Sequence, residues 1–260
     1  MATFLFNEII FGPVKSRRLG VSLGINLLPV NSKICNFNCI YCECGWTGHS
    51  GDNTSNLPTR KEVYLSLENK LDSMKQSGQV PDVITFAGNG EPTLHPQFPG
   101  IIDDSIKLRD KYFPEAKIAV LSNSTAITRE DIRKALLRVD QNILKLDSAC
   151  DDTIHLHNQP NKKIIASDLI NDLKKFEGRL IIQTLFLRGE YKGKKIDNTT
   201  PEEISGWLKA IKEISPSEVM IYTISRDTPE GSSLEKISLK ELKEIAGKVN
   251  ELGIKTQVSG

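Results

Sequence analysis

The chain reads as an α/β protein, a partial (β/α)6 TIM-like barrel of parallel strands forming a single domain over residues 1–260. Three observations predict it. Strand-like and amphipathic helical segments alternate about six times along the chain, the pattern of a parallel sheet. The strand-like segments are short, continuous and rich in Ile, Val and Leu, as for strands covered on both faces. The notable polar motifs come just after these segments, at the ends of the strands where such folds place their chemistry.

Each element has its own local reason. The first strand is VSLGINLL, 21–28, and a cysteine-rich loop follows it. Thr59 and Glu62 form a capping-box pattern that opens a helix, and Gly78 suits its C-terminal end. A strand over 82–87 leads into GNGEPTLHP, and a helix over about 98–112 precedes a strand over 117–122. Thr128 is expected to cap TREDIRKALLRV, and a strand over 142–147 comes next. A helix from about Ser167 stops at Gly178, and a strand follows over 179–187. RGEYKGKKIDN reads as a loop. TPEE at 200–203 is a second capping box, with Pro201 at the first helical position of a helix reaching about Ile214. A strand over 218–224 precedes a last helix capped by Ser238 with Glu241 and closed at Gly253, and IKTQV follows.

Composition bounds the function. Apolar residues make up 38% of 260, enough for a full-sized core. The net charge of +1 supplies no whole-protein attraction for nucleic acid or membrane. No apolar run approaches the roughly 20 residues that cross a bilayer, and no basic segment followed by an apolar one marks a signal peptide. A cytoplasmic location is therefore expected. Four of the five cysteines, at 35, 39, 42 and 44, fall within ten residues. Such neighbours cannot staple distant parts of a fold, so metal or redox chemistry is expected in place of a disulfide framework.

Cys35, Cys39 and Cys42 have the spacing C-x3-C-x2-C on one loop. Soft thiolates favour iron–sulfur or zinc. A cubane 4Fe-4S cluster normally takes four cysteines, so three leave one iron open, as a catalytic centre requires. The alternative is a zinc knuckle completed by Cys44 or His49, although no second C-x2-C pair is present. Cys44 reads as a free thiol beside the site or a fourth cluster ligand. Cys150 reads as a small core or loop residue.

This cysteine spacing, with Tyr41 before the last cysteine and GNGEPT at 88–93, resembles the radical S-adenosylmethionine superfamily. That family carries a GGEP motif after strand two, and Asn89 stands here where its first glycine usually lies. FGPVKSRRLGVSLGINLLP before the cysteines and CECG around them are similar to one branch, small Fe–S oxidoreductases akin to the wyosine-forming tRNA enzymes. The resemblance covers about residues 10–258. It implies that Cys35, Cys39 and Cys42 each hold one iron of a 4Fe-4S cluster and that S-adenosyl-L-methionine chelates the fourth. It implies reductive cleavage to methionine and a 5′-deoxyadenosyl radical that takes hydrogen from a substrate. It also implies an external electron donor such as flavodoxin or ferredoxin.

The resemblance assigns roles to cofactor-binding residues. Glu91 would accept hydrogen bonds from the methionine ammonium, with Gly90 allowing close backbone approach and Pro92 stiffening the turn; an ordinary strand-exit turn is the alternative. Tyr41 would lie near adenine, or pack as a loop aromatic. Ser122 and Asn123 would meet the ribose or carboxylate, or cap a helix. Lys145 and Asp147 alternate on one strand, so both face the barrel interior, as cofactor ligands or as a structural ion pair. Arg188 would bind a carboxylate or sit solvated in its loop.

The substrate stays open between small molecule, peptide and tRNA. His155 and His157 in DDTIHLHN are a possible metal pair, more simply a loop with one solvated histidine. His95 caps the next helix or lines the site. Arg17 and Arg18 sit at the bottom or rim. Lys192, Lys194 and Lys195 form a basic loop able to meet RNA phosphates, though aromatic residues at 6% offer few stacking platforms. Two other functions fit the cysteines: an activase that places a glycyl radical on a partner protein, and a non-catalytic zinc- or cluster-binding module.

Overall fold

The computed structural model describes residues 4–48, 57–226, 228–229 and 233–260. Among them, one curled sheet of eight strands has the order β1 (Ile10–Ser16), β2 (Gly20–Ile25), β3 (Val83–Phe86), β4 (Lys117–Ser122), β5 (Gln141–Lys145), β6 (Ile181–Leu185), β9 (Glu218–Tyr222), β11 (Lys255–Ser259). From β2 onward every neighbouring pair is parallel. The terminal IKTQV segment adds a parallel strand beyond the six-fold alternation. β1 is the antiparallel exception, folded back on β2 with an irregularity between Phe11 and Val14.

Period 2 along the strands explains the two buried faces. Ile84, Phe86, Ile118, Val120, Leu144, Ile182, Val219 and Ile221 enter the main core with the helices. The alternate set, Val83, Ala119, Ile143, Ile181 and Met220, forms a small cluster across the opposite face, one residue per strand. Two residues further on, that face carries Thr85, Leu121, Lys145, Gln183 and Tyr222, so all but β4 turn polar toward the C-terminal ends of the strands.

The helices on the outer layer are α1 (Arg60–Gln76), α2 (Phe98–Tyr112), α3 (Glu130–Leu136), α4 (Asp151–Asn158), α5 (Ala166–Lys174), α6 (Pro201–Ile214) and α7 (Leu239–Asn250). The capping boxes at Thr59–Glu62 and Ser238–Glu241 form as the pattern requires. At α6, Thr200 accepts from the Glu203 amide, but the Glu203 carboxylate turns away and accepts from Ser148 (2.6 Å) and Thr153 (2.5 Å). The α3 cap position is Arg129, one residue past Thr128, and makes no side-chain cap bond.

Three segments differ from the sequence expectation. RGEYKGKKIDN is no loop: it forms β7 (Leu187–Tyr191) and β8 (Lys194–Asp197), an antiparallel hairpin that pairs also with β10 (Leu234–Lys236). The 179–187 run therefore breaks at Phe186. DDTIHLHN is helix α4, whose His155 and His157, two residues apart, do not face each other. His155 accepts from the Ile164 amide at 3.2 Å, and His157 is buried, so neither is solvated as a loop histidine would be.

Candidate functional site

The cysteine loop leaves β2 at the C-terminal end of the sheet and is clamped from two sides. On one side Ile34 donates to the Asn89 carbonyl (2.9 Å) and accepts from the Glu91 amide (3.0 Å), so the loop pairs with the turn after β3. The contact needs glycine: Gly90 has φ +138°, and an added Cβ would stand 1.8 Å from the Ile34 carbonyl oxygen. Asn89 shows why an amide replaces the family's glycine. Its side chain bonds the Phe6 amide, the Phe6 carbonyl and the Pro29 carbonyl, each at 2.8 Å, tying the N-terminal segment and the loop to this turn.

On the other side the loop lies against the end of α4. Asn38 donates to the Asn158 carbonyl (2.9 Å), Ile40 to the His157 carbonyl (3.0 Å), and Asn161 to the Asn36 carbonyl (2.9 Å). Within the loop, Lys33 is 5% exposed and its ammonium donates to the Gly45 carbonyl at 2.7 Å. Phe37, Ile40, Tyr41, Leu185, Leu187 and Tyr191 pack a separate apolar cluster around Cys39. Cys39 is thus shut from water, while Cys35, Cys42 and Cys44 keep partial exposure.

Electrostatics distinguish the three thiols. Burial pushes Cys35 up to about 12, more than Lys33 can offset. Burial also raises Cys39. Cys42 is drawn down to about 5 by its hydrogen bond with Cys44, helped against burial by Lys33. Cys44 is raised in turn by the same bond, and its sulfur lies 3.4 Å from the Gly88 carbonyl oxygen, a second acceptor for its one proton. Although burial opposes it, the nearby cysteines hold the Lys33 ammonium above its usual value. Three soft donors around a buried cation fit the chemistry of a metal centre, whose positive charge would supply the compensation that buried thiolates need. Among the described residues no three His, Cys, Asp or Glu side chains stand close enough to share one metal ion. His49 lies outside the described residues.

Two polar groups flank the thiols. In the first, Glu91 is 2% exposed and accepts from Thr93 N (3.1 Å), Thr93 Oγ1 (2.5 Å), Ser122 Oγ (2.9 Å) and Asn123 N (2.6 Å). Three of the four fall on Oε1, leaving Oε2 room for another donor. Burial nevertheless keeps the Glu91 carboxyl above its usual value. In the second, Tyr41 donates to Asp147, Lys145 donates to the Tyr41 hydroxyl (2.9 Å), and Lys145 pairs with Asp147 at 3.4 Å. Asn158 Nδ2 reaches Asp147 Oδ2 and the Tyr41 oxygen, both at 2.8 Å, and Leu185 N donates to Asp147 Oδ1 at 3.0 Å. Burial opposes charge on Asp147, but the Lys145 ammonium and these donors outweigh it and hold the carboxyl below its usual value.

The fold therefore brings together Cys35, Cys39, Cys42, Tyr41, Gly90, Glu91, Ser122, Asn123, Lys145 and Asp147. Arg188 is not among them. Its guanidinium is taken by Glu241 (2.7 Å), Thr199 (2.7 Å) and Asp197 (3.5 Å), carboxylates and hydroxyl of this chain. Cys150 is exposed before α4 and belongs to neither the core nor the site. His95 accepts from the Gln97 amide on Nδ1 and so donates from Nε2 to the Pro58 carbonyl at 2.8 Å, fixing the approach to α2. Arg17 and Arg18 brace the start of β2, Arg17 bonding the Gly260 carbonyl and Arg18 bonding Gln183 and stacking on Tyr222. Sequence reasoning missed Lys33, Asn36 and Asn158. Lys33, a cation two residues before a cysteine, carried a signal; the two asparagines carried none.

Comparison with known proteins agrees with this geometry. The sequence profile described as "Radical SAM superfamily" matches residues 32–191. The chain is 32% identical over 223 residues to a Brachyspira hyodysenteriae protein named GTPase Obg, covering 84% of this chain and 30% of that one. It is 32% identical over 226 residues to a UPF0026 protein of Methanocaldococcus jannaschii, covering 85% of this chain and 65% of that one. It thus spans less than two thirds of either relative. The fold matches a radical SAM methyltransferase from Sphaerobacter thermophilus with a TM-score of 0.66 over 92% of this chain and 65% of that one, at 13% identity. With a matched profile running from the cysteine loop through the β7 strand and a partial barrel beneath it, the chain belongs to the radical SAM superfamily.

Proposed function

We propose that residues 1–260 form one domain that binds a 4Fe-4S cluster on Cys35, Cys39 and Cys42 and uses S-adenosyl-L-methionine for radical chemistry on a substrate of still open class. The observation that carries the reading is the clamped loop: three thiols are held over the C-terminal ends of the parallel strands, against the Gly90–Glu91 turn. When bound, such a cluster would supply the electron for reductive cleavage of S-adenosylmethionine to methionine and a 5′-deoxyadenosyl radical able to take hydrogen from the substrate.

The chain's own residues do the positioning. Glu91 Oε2 retains acceptor capacity for the methionine ammonium, with Ser122 and Asn123 beside it. Tyr41 and the Lys145–Asp147 pair form the second polar group beside the thiols, and the pairing of Lys145 with Asp147 leaves that group near neutral. The apolar cluster around Cys39 keeps water from that side of the centre. An outside electron donor, flavodoxin or ferredoxin in kind, completes the reaction. No helix among the described residues is long and apolar enough to cross a membrane, and we place the enzyme in the cytoplasm.

Anaerobic reconstitution tests the reading. Brown protein with about four irons per chain, yielding 5′-deoxyadenosine on reduction with S-adenosylmethionine, is expected. Stoichiometric zinc with no nucleoside product would instead favour a binding module. A folded Cys35→Ala protein is expected to lose the nucleoside product, and unchanged yield would refute the ligand assignment.

A further inference from the structure

Building on that cluster reading, we propose that the side-chain amides of Asn123 and Asn158 donate hydrogen bonds to the sulfurs of Cys35 and Cys39 and thereby set the reduction potential of the cluster. Asn123 Nδ2 lies 3.6 Å from Cys35 Sγ, and Asn158 Nδ2 lies 3.5 Å from Cys39 Sγ. Both asparagines are buried. They come from different elements, one after β4 and one at the end of α4, yet each meets a different thiol.

Neighbours determine which end of each amide faces sulfur. The Thr125 backbone N–H lies 3.1 Å from Asn123 Oδ1 and can only donate, so that atom is oxygen and the nitrogen faces Cys35. For Asn158, the Asp147 carboxylate accepts at 2.8 Å, so the atom beside it is nitrogen; the Tyr41 oxygen, itself bonded to Asp147, shares that same N–H at 2.8 Å, and the second N–H of the amide is the one toward Cys39. Asp147 is itself anchored by Leu185 N and Lys145, and Asn123 by Asn36 Oδ1 at 2.6 Å. The donors are thus held before any cluster arrives, and no reorganisation is needed to use them.

A donor to a cluster thiolate withdraws electron density from sulfur and favours the reduced, more negative state. In a buried site this effect is strengthened by the low dielectric. Asn123 and Asn158 are therefore positioning residues that ease entry of the electron. Cys42 has a different attendant, the Lys33 ammonium.

The test uses the reconstituted holoprotein and its Asn123→Leu and Asn158→Leu variants, which keep the branched heavy-atom skeleton and lose the donor. In an EPR-monitored redox titration each variant is expected to show a lower midpoint. The reduced-to-oxidised ratio at fixed potential should fall about tenfold, about 59 mV for one electron. Pulsed EPR of reduced wild type carrying 15N in its asparagine side chains should show coupled nitrogens, and each variant should lose one. Variants that bind about four irons and retain the wild-type midpoint overturn the proposal. If a variant does not load, the labelled wild type decides, and absence of coupling overturns it. A wild type that takes up zinc or no four-iron centre fells the cluster reading first, and a loaded wild type without the shifts fells this inference alone.

Discussion

At Gly90 the backbone of one loop occupies the space where a side chain would begin. Gly90→Ala meets two obstacles together: a φ of +138° and a Cβ 1.8 Å from the Ile34 oxygen. Relief requires the cysteine loop to lift from its turn, breaking the Ile34–Asn89 and Glu91–Ile34 bonds. A loss of about 2–3 kcal/mol is expected, read as a lower urea midpoint, with iron uptake reduced beyond what stability alone explains. Wild-type values on both counts would show that the turn and loop are independent. Gly90, Glu91 and the cysteines were legible because their spacing is local. Asn158 was not, since its sulfur partner lies 119 residues away and no spacing rule joins them. Asn89 was legible as a departure, but its three backbone partners appear only once the N-terminal segment folds over it.

The elements that could be read in advance are those whose stability is written locally. Thr59–Glu62 and Ser238–Glu241 close as reciprocal capping boxes because each glutamate keeps an oxygen for its cap: Glu241 accepts from Ser238 on Oε2 while Arg188 takes Oε1 at 2.7 Å. In TPEE, Glu203 does find competitors, the hydroxyls of Ser148 and Thr153, and it abandons the cap to join α6 to the start of α4. Ser148 is fully buried, so removing its acceptor strands a polar group. Glu203→Ala is expected to cost about 2–3 kcal/mol, while Glu62→Ala, at an exposed helix start, should shift the urea midpoint clearly less. Equal shifts would mean that Glu203 acts only as a cap residue. The missed elements share the opposite cause. The β7–β8 hairpin is lysine-rich and polar, and its further partner β10 lies far along the chain. Helix α4 has no side-chain cap, and Gly12 and Pro13 disguise β1.

Across the whole molecule, the buried His157 couples proton concentration to the seam between α4 and the cysteine loop. Its carbonyl accepts from Ile40, its buried Nδ1 has no hydrogen-bond partner among the described residues, and burial brings its imidazole down to about 4. Asp147 and Asp197 favour the charged form and Lys145 opposes it, but burial prevails. From about pH 6.5 down to about 4 the unfolded chain therefore binds a proton that the native protein does not, and stability falls as pH falls. The fully developed loss is about 3 kcal/mol. Asp147 acts in a lower window: held below its usual value, it stabilises the fold above about pH 4 and loses that contribution as pH drops through its native value. Urea unfolding of the apo protein between pH 7.5 and 4.5 is expected to show a steep decline that His157→Phe and His157→Gln both flatten. Parallel slopes in wild type and variants would place the acid sensitivity in other groups and leave the seam indifferent to protons.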